Sequence, residues 1–119
     1  MTATKTKLLV VEDDPHISAA LAEYGRRKGF EVAVADDGIK AVQLGIAERP
    51  AVILLDVMLP GKDGRDVLAE LSRAGVAQNA IVIFVTARDS QSDRLVGLEL
   101  GAVEYETKPL HFQVLFHKI

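Results

Sequence analysis

The chain has 119 residues and a net charge of −3 at pH 7, with 49% hydrophobic and 26% charged residues. This length suits one globular domain. The absence of cysteine excludes disulfides, thiolate metal sites and thiol nucleophiles, and the lack of tryptophan and of any basic run argues against nucleic-acid binding. No apolar run reaches the about 18 residues of a membrane span, and the N-terminus lacks the apolar core of a signal peptide. We therefore expect a cytoplasmic protein.

The N-terminal part of the sequence predicts a strand followed by a helix. Residues 1–6 are small, polar and basic, and we expect them to form a disordered tail. The apolar run 7–11 predicts a short strand, and three acids follow it directly. The last of them, Asp14, precedes Pro15, which suits an N-cap with proline at the first helical position. The helix should run to about residue 28 and stop at Gly29.

The rest of the sequence continues the same alternation. We predict strands at 31–35, 51–55, 81–85 and 103–107, and helices at about 38–48, 65–74, 90–100 and 110–119. The second helix should end at Arg49, because the residue before a proline is disfavoured in the α region. Five strands alternating with five helices predict one doubly wound α/β domain, with a parallel sheet and helices on both faces.

The apolar run 51–55 is rich in β-branched residues and ends in Asp56, before Pro60, Gly61 and Gly64 break the chain. Such a run predicts a strand covered on both faces. A carboxylate at its end must be paired or solvated, so we expect Asp56 at the edge of the sheet, where a cation can approach it. The alternative is an aspartate that only caps the next turn.

Ligands of open parallel sheets bind at the carboxyl ends of the strands. Those ends carry an acidic pair, a third acid, a hydroxyl and an ammonium: Glu12, Asp13, Asp56, Thr86 and Lys108. Three close carboxylates either share a proton or hold a cation, and oxygen ligands without His or Cys favour Mg²⁺. A metal, an ammonium and a hydroxyl around one carboxylate suit phosphoryl transfer, with Asp56 as the nucleophile.

These motifs resemble the receiver domain of bacterial two-component response regulators, and the resemblance covers residues 7–119. The matching motifs are Glu12-Asp13, DVMLPGKDG at 56–64, Thr86-Ala87 and GAVEYETKP at 101–109. The resemblance implies the flavodoxin-like strand order 2-1-3-4-5, a phosphoprotein that accepts a phosphoryl group at Asp56, and a histidine kinase or phosphotransfer protein as donor. It also implies control of an output domain or downstream protein, and a fifth helix truncated at the C-terminus.

The resemblance further assigns the metal ligands. Asp13, Asp56 and the backbone carbonyl of Met58 would bind Mg²⁺, with Glu12 acting through water. The domain would catalyse its own phosphorylation and the slow hydrolysis of the aspartyl phosphate, without being an enzyme in the usual sense.

By the same resemblance, Thr86 and Lys108 would hold the phosphoryl oxygens, and Tyr105 would turn inward when Thr86 moves toward the phosphate. Each residue also has a plainer interpretation. Thr86 could simply end a strand, Lys108 could be a solvated turn residue, and Tyr105 could be ordinary core packing.

Two other functions compete with the phosphorylation switch. One is a receiver-like module that binds partners without switching. The other is a phosphatase of the haloacid dehalogenase type, whose chemistry needs an acid two residues after the nucleophile. Met58 occupies that position, which argues against the phosphatase.

The last segment departs from the family pattern. Its apolar residues recur at helical spacing and predict a core face: Phe112, Leu115, Phe116 and Ile119. The two phenylalanines exceed what a two-turn helix usually buries, which indicates an exposed apolar edge. Val103 and Val114 stand where dimerising relatives carry acids, so we expect a monomer or a weak phosphorylation-dependent dimer with apolar contacts. Glu106 must reach solvent or a cation such as Lys118.

Overall fold

The structure is a computed structural model that describes residues 5–86, 104–108 and 110–119. The strands in these ranges are Lys7–Val11 (β1), Glu31–Ala35 (β2), Val52–Leu55 (β3), Ile81–Thr86 (β4) and Glu104–Thr107 (β5). The helices are Pro15–Arg27 (α1), Gly38–Glu48 (α2), Gly64–Arg73 (α3) and Phe112–His117, which we call the C-terminal helix. A 3-10 turn at Ala77–Asn79 was not predicted. The predicted helix at 90–100 and most of the predicted tail lie outside the described residues.

The five strands form one sheet in the order β2-β1-β3-β4-β5, and every neighbouring pair is parallel. This confirms the predicted doubly wound α/β fold. The chain starts near the centre of the sheet at β1, moves outward to β2, and then returns to the other side of β1 as β3. The strand order therefore reverses between β1 and β3, where ligands of such sheets bind.

Helices cover both faces of the sheet, and side chains along β1 alternate between the two faces. Leu9 and Val11 belong to a core cluster with α2 and α3, whereas Leu8 and Val10 belong to a second cluster with α1 and the C-terminal helix. Burial on both faces explains why β1 and β3 are continuous apolar runs. In the described part of the chain, none of the helices combines the length and apolar content needed to cross a membrane.

The helix ends follow the predicted signals. The Asp14 side chain caps α1 by accepting hydrogen bonds from the backbone N–H groups of His16 at 2.9 Å and Ile17 at 3.3 Å. Gly29 has φ 96° just after α1, a left-handed conformation that glycine adopts without steric cost. Arg49 leaves the α region as predicted, but it does so in the left-handed region, with φ 44° and ψ 62°.

The C-terminal helix packs more closely than the sequence predicted. Phe116 is only 9% exposed, and its ring centroid lies 4.8 Å from that of Tyr24 and 6.1 Å from that of Phe30. Phe112 is half-buried, with its ring centroid 5.5 Å from Tyr24. The predicted exposed apolar edge is therefore wrong for Phe116, because the aromatic rings of α1 and of the segment after it cover this side chain. Val114 on the same helix is 55% exposed.

An ion pair joins β5 to Lys118, the C-cap of the C-terminal helix. The Lys118 ammonium donates to a carboxylate oxygen of Glu106, which confirms the predicted partner. Glu106 is in register with Val85, whose side chain belongs to the core cluster beneath the C-terminal helix. The carboxylate thus lies on the sheet face that α1 and the C-terminal helix cover, where it requires a cation.

Gly64 allows the chain to turn tightly from β3 into α3. Its backbone N–H donates to the Val57 carbonyl oxygen at 2.8 Å. A Cβ atom at this position would approach the Asp56 carbonyl oxygen more closely than the 3.0 Å limit of real Cβ contacts. The backbone of the site residue Asp56 therefore packs directly against the start of α3.

Replacing Gly64 with alanine should lower the free energy of unfolding by about 3 kcal/mol, because the added methyl group displaces the backbone near Asp56. Gly75→Ala is the matched control. Gly75 has φ +77° but no atom within 4 Å of an added Cβ, so only the conformational penalty of about 1 kcal/mol applies. Urea denaturation measures both values. Equal losses in the two variants would contradict the steric explanation.

Candidate functional site

The carboxyl ends of β1, β3 and β5 bring three charged side chains together. Glu12 follows β1, Asp56 follows β3 and Lys108 follows β5. The Glu12 N–H donates to the Ala35 carbonyl at 3.0 Å, and the Asp56 N–H donates to the Val11 carbonyl at 3.0 Å. These bonds extend the strand ladders by one residue, so the backbone of both acids is fixed by the sheet.

The Asp56 carboxylate has a donor at each oxygen. Lys108 Nζ lies 2.9 Å from Oδ2, and the Met58 backbone N–H donates to Oδ1 at 3.1 Å. The same ammonium donates to Glu12 Oε1. Asp56 is 4% exposed and Glu12 is 1% exposed, so both carboxyl groups are almost removed from water. Lys108 is therefore a structural partner of the acids as well as a predicted ligand of the phosphoryl group.

The direct contact between Glu12 and Lys108 was not predicted. The sequence predicted only that both residues lie at the same edge of the sheet, because they follow parallel strands. The signal that could have indicated the contact is the burial of Glu12, since a carboxylate at the end of an apolar strand needs a cation.

Three carboxylates form a cluster that could hold a divalent cation. One carboxylate oxygen each from Glu12, Asp13 and Asp56 lies within 4.8 Å of the others, and Asp13 is exposed at the entrance. Glu12 Oε2 is buried and accepts no hydrogen bond from any of the described residues. A hard cation prefers oxygen ligands of this kind. The donor set, with its unpaired buried oxygen, fits such an ion.

The pKa values of the two buried acids are shifted in opposite directions. Burial, followed by its hydrogen bond with Asp56, raises the pKa of Glu12 to about 8. Burial also acts to raise the pKa of Asp56, but hydrogen bonds from Glu12 and Lys108 outweigh it and lower that pKa below its usual value. Without a cation, Glu12 therefore holds the proton that the acids share, and Asp56 stays ionised.

Lys108 keeps its charge in this setting. Burial acts to lower the pKa of its ammonium, but the contacts with Glu12 and Asp56 outweigh it and raise the pKa above its usual value. A fixed positive charge therefore lies beside the ionised Asp56 carboxylate.

For Thr86 and Tyr105, the other predicted site residues, the structure describes only the backbone. Thr86 ends β4 and pairs in register with Thr107, which precedes Lys108, and Tyr105 lies within β5. Their side chains are outside the described part of the structure, so the predicted hydroxyl ligand and the predicted switch remain predictions. The three histidines, His16, His111 and His117, are exposed, as the sequence indicated.

Comparison with known proteins assigns the family. The family model described as "Response regulator receiver domain" matches residues 8–119, which is almost the entire chain. The chain belongs to the response regulator receiver family. The acidic pocket of Glu12, Asp13 and Asp56 at the strand ends is consistent with the phosphoacceptor site of a receiver domain.

Solved receiver structures share this architecture. The receiver domain of the Francisella response regulator 1452 is 32% identical with a TM-score of 0.87, and the match covers 96% of this chain and 93% of that one. The BeF3-activated N-terminal receiver domain of Klebsiella pneumoniae RstA is also 32% identical, with a TM-score of 0.85 and coverage of 95% and 94%. A receiver domain protein from Methanospirillum hungatei, at 24% identity, TM-score 0.90 and coverage of 97% and 90%, shares the fold.

The raised pKa of Glu12 predicts how the metal-free receiver responds to pH. The Glu12 carboxyl group has a pKa of about 8 in the folded chain, whereas its ordinary value is 4.5. At a pH between these two values it is protonated in the folded chain and releases the proton on unfolding. Stability therefore falls as the pH rises from about 5 to about 8. Glu12→Gln removes this titration, so in EDTA it should melt at a higher temperature than wild type at pH 8, with a smaller difference at pH 5.

Thermal melts in EDTA at the two pH values measure this effect. Glu23→Gln, which removes an exposed acid on α1, is the control and should melt like wild type at both. A Glu12→Gln difference that does not change between pH 5 and pH 8 would contradict the assignment of the raised pKa to Glu12.

Proposed function

We propose that this receiver domain accepts a phosphoryl group on Asp56 from a histidine kinase or phosphotransfer protein, in the cytoplasm, with Mg²⁺ as cofactor. The observation that carries the proposal is the environment of Asp56: a buried, ionised carboxylate held by Lys108 and the Met58 N–H, with two more carboxylates beside it. Its pKa is lowered by these partners against the effect of burial, so the group is a carboxylate at neutral pH.

The reaction needs one bond to form and one to break. A carboxylate oxygen of Asp56 attacks phosphorus, the bond between phosphorus and the donor breaks, and the donor leaves with its electron pair. Lys108 already contacts Asp56, so its ammonium can stabilise the phosphoryl oxygens with little movement. The Met58 N–H orients the carboxylate by holding Oδ1.

The three acids would hold the metal. We assign Asp13, Asp56 and the backbone carbonyl of Met58 as ligands, with Glu12 acting through water. When bound, Mg²⁺ would supply positive charge to the phosphoryl oxygens during transfer. The unpaired Oε2 of Glu12 and the exposure of Asp13 at the entrance support this assignment, because they leave carboxylate oxygens available to the ion or its waters.

Phosphorylation would then act on the face formed by β5 and the C-terminal helix. We assign Thr86 as the hydroxyl that follows the phosphoryl group and Tyr105 as the aromatic residue that moves with it. β5 supports this proposal, since it carries Tyr105, leads directly into Lys108 and is ion-paired to the C-terminal helix through Glu106. An output domain or downstream protein would bind this face.

A similar protein supports the acceptor role. The Klebsiella pneumoniae RstA receiver, 32% identical, is described as BeF3-activated. Beryllofluoride binding at a carboxylate would mimic a phosphoryl group, so the same reagent should act on this chain if Asp56 is the acceptor.

Incubation with acetyl phosphate and Mg²⁺ should add one phosphoryl group to the wild-type domain, and Asp56→Asn should abolish the addition because an amide is not a nucleophile. Intact-mass spectrometry measures the product. Asp66→Asn, which changes an exposed acid on α3, is the matched control and should be phosphorylated like wild type. EDTA should prevent the reaction in both proteins that keep Asp56.

Two outcomes would contradict the proposal. Phosphorylation of Asp56→Asn at the wild-type level would place the acceptor elsewhere. A wild-type protein that is folded but never phosphorylated would favour the competing function, a receiver-like module that binds partners without switching.

Thr86→Ala should still be phosphorylated, since the nucleophile and Lys108 remain, but the response of the C-terminal helix should be lost. Thr86→Ser keeps the hydroxyl and is the matched control. Amide chemical shifts of residues 112–117, recorded by NMR before and after beryllofluoride, measure the response. Equal shift changes in the alanine and serine variants would show that the hydroxyl does not relay the signal.

A further inference from the structure

The segment between Asp56 and α3, residues 57–63, is here called the β3–α3 loop. Its first residues contact the site directly, because the Met58 N–H donates to Asp56 Oδ1 at 3.1 Å. At its other end, the Gly64 N–H donates back to the Val57 carbonyl at 2.8 Å. The position of this loop therefore sets the orientation of the Asp56 carboxylate.

The loop packs against the start of α2 on one side. The Gly38 N–H donates to the Pro60 carbonyl oxygen at 3.2 Å. A Cβ atom on Gly38 would lie 2.5 Å from Lys62 Cβ and would also meet the Lys62 carbonyl, closer than real Cβ contacts. The main chain of Lys62 thus rests on α2 with no room for a side chain between them.

The side chain of Lys62 joins the loop to α3 on the other side. Lys62 Nζ lies 2.9 Å from Glu70 Oε2, and the two side chains are 30% and 33% exposed. Glu70 Oε2 is itself buried and accepts no hydrogen bond of normal geometry from the described residues, so its charge is compensated by the Lys62 ammonium through the ion pair. An ion pair that is two-thirds covered is screened less by solvent than an exposed pair.

We propose that Lys62 is a positioning residue for the phosphoacceptor site: its main chain rests on Gly38 of α2, its ammonium is held by Glu70 of α3, and both contacts fix the β3–α3 loop that orients Asp56. The inference rests on the proposed function of Asp56 as acceptor and Met58 as a metal ligand. Lys62 acts through the loop and touches neither the phosphoryl group nor the metal.

A purely electrostatic role and a positioning role predict different results when Lys62 and Glu70 are replaced. If these residues acted only through their charge, Lys62→Met would tighten Mg²⁺ binding by removing a cation, and Glu70→Gln would weaken it by removing an anion. If they position the loop, both variants weaken Mg²⁺ binding. The sign of the Lys62→Met effect therefore separates the two explanations.

Titration calorimetry with Mg²⁺ and hydrogen exchange of the Met58 amide provide the test. Lys62→Met and Glu70→Gln should each weaken Mg²⁺ binding by about tenfold, as loss of a supporting contact around a metal site does. The Met58 amide should exchange about tenfold faster in both, because its hydrogen bond to Asp56 opens more often. The exchanged pair Lys62→Glu with Glu70→Lys should recover most of both values.

Two further variants make the test specific. Gly38→Ala disturbs the same loop from α2 and should give the same pair of effects, although alanine favours a helix. Glu23→Gln breaks the exposed Arg27 pair on α1 and should leave the Met58 amide and Mg²⁺ affinity unchanged.

Tighter Mg²⁺ binding by Lys62→Met, or an unchanged Met58 amide in both single variants, would overturn the proposal. The amide measurement in the metal-free protein does not depend on phosphorylation. If wild type were not phosphorylated while the amide responded as expected, the proposed function would fail and the positioning role of Lys62 would stand.

Discussion

The site depends on an excess of negative charge at one edge of a buried sheet. Glu12 and Asp56 are almost completely covered, Asp13 lies beside them, and Lys108 supplies the one ammonium that the described part of the structure places on the two buried acids. The excess is relieved in part by a proton on Glu12, whose pKa is raised to about 8, chiefly by burial. A divalent cation would relieve it further, so metal binding at this cluster would also stabilise the fold.

The repulsion between these acids requires a backbone that holds them firmly in place. Carboxylates that repel one another move apart unless the backbone holds them in place. Here the two buried acids follow β1 and β3 directly, and the hydrogen bonds of the sheet continue past the strand ends to include them. After Asp56 the chain turns within a few residues, and the start of α3 packs on the Asp56 carbonyl with no space for a side chain. The turn that follows Asp56 is therefore a support for it as much as a connection to α3.

Much of the fold and part of the site could be predicted because their signals are local. Apolar runs marked the strands, Asp14 before Pro15 marked a cap, and acids and a lysine after strands marked one edge of the sheet. The packing of Phe116 against Tyr24 and Phe30 could not be predicted, because it depends on how α1 and the C-terminal helix meet on the same face of the sheet. The Lys62 to Glu70 pair was missed for the same reason: one residue is in a loop and the other is in a helix, so neither helical nor strand spacing relates them.

The strand β5 connects the site to the sheet face that α1 and the C-terminal helix cover. Lys108 follows its last residue and contacts both buried acids, whereas Glu106, two residues earlier, is paired with Lys118, the C-cap of the C-terminal helix. Glu106 lies on the sheet face that α1 and the C-terminal helix cover. The position of the C-terminal helix therefore depends on a charge carried by β5, the strand that also leads into Lys108. A displacement of Lys108 that moved β5 would therefore act first on this ion pair. The candidate site and the end of the C-terminal helix are linked by one four-residue strand, and an ion pair in place of an apolar contact makes that link sensitive to charge.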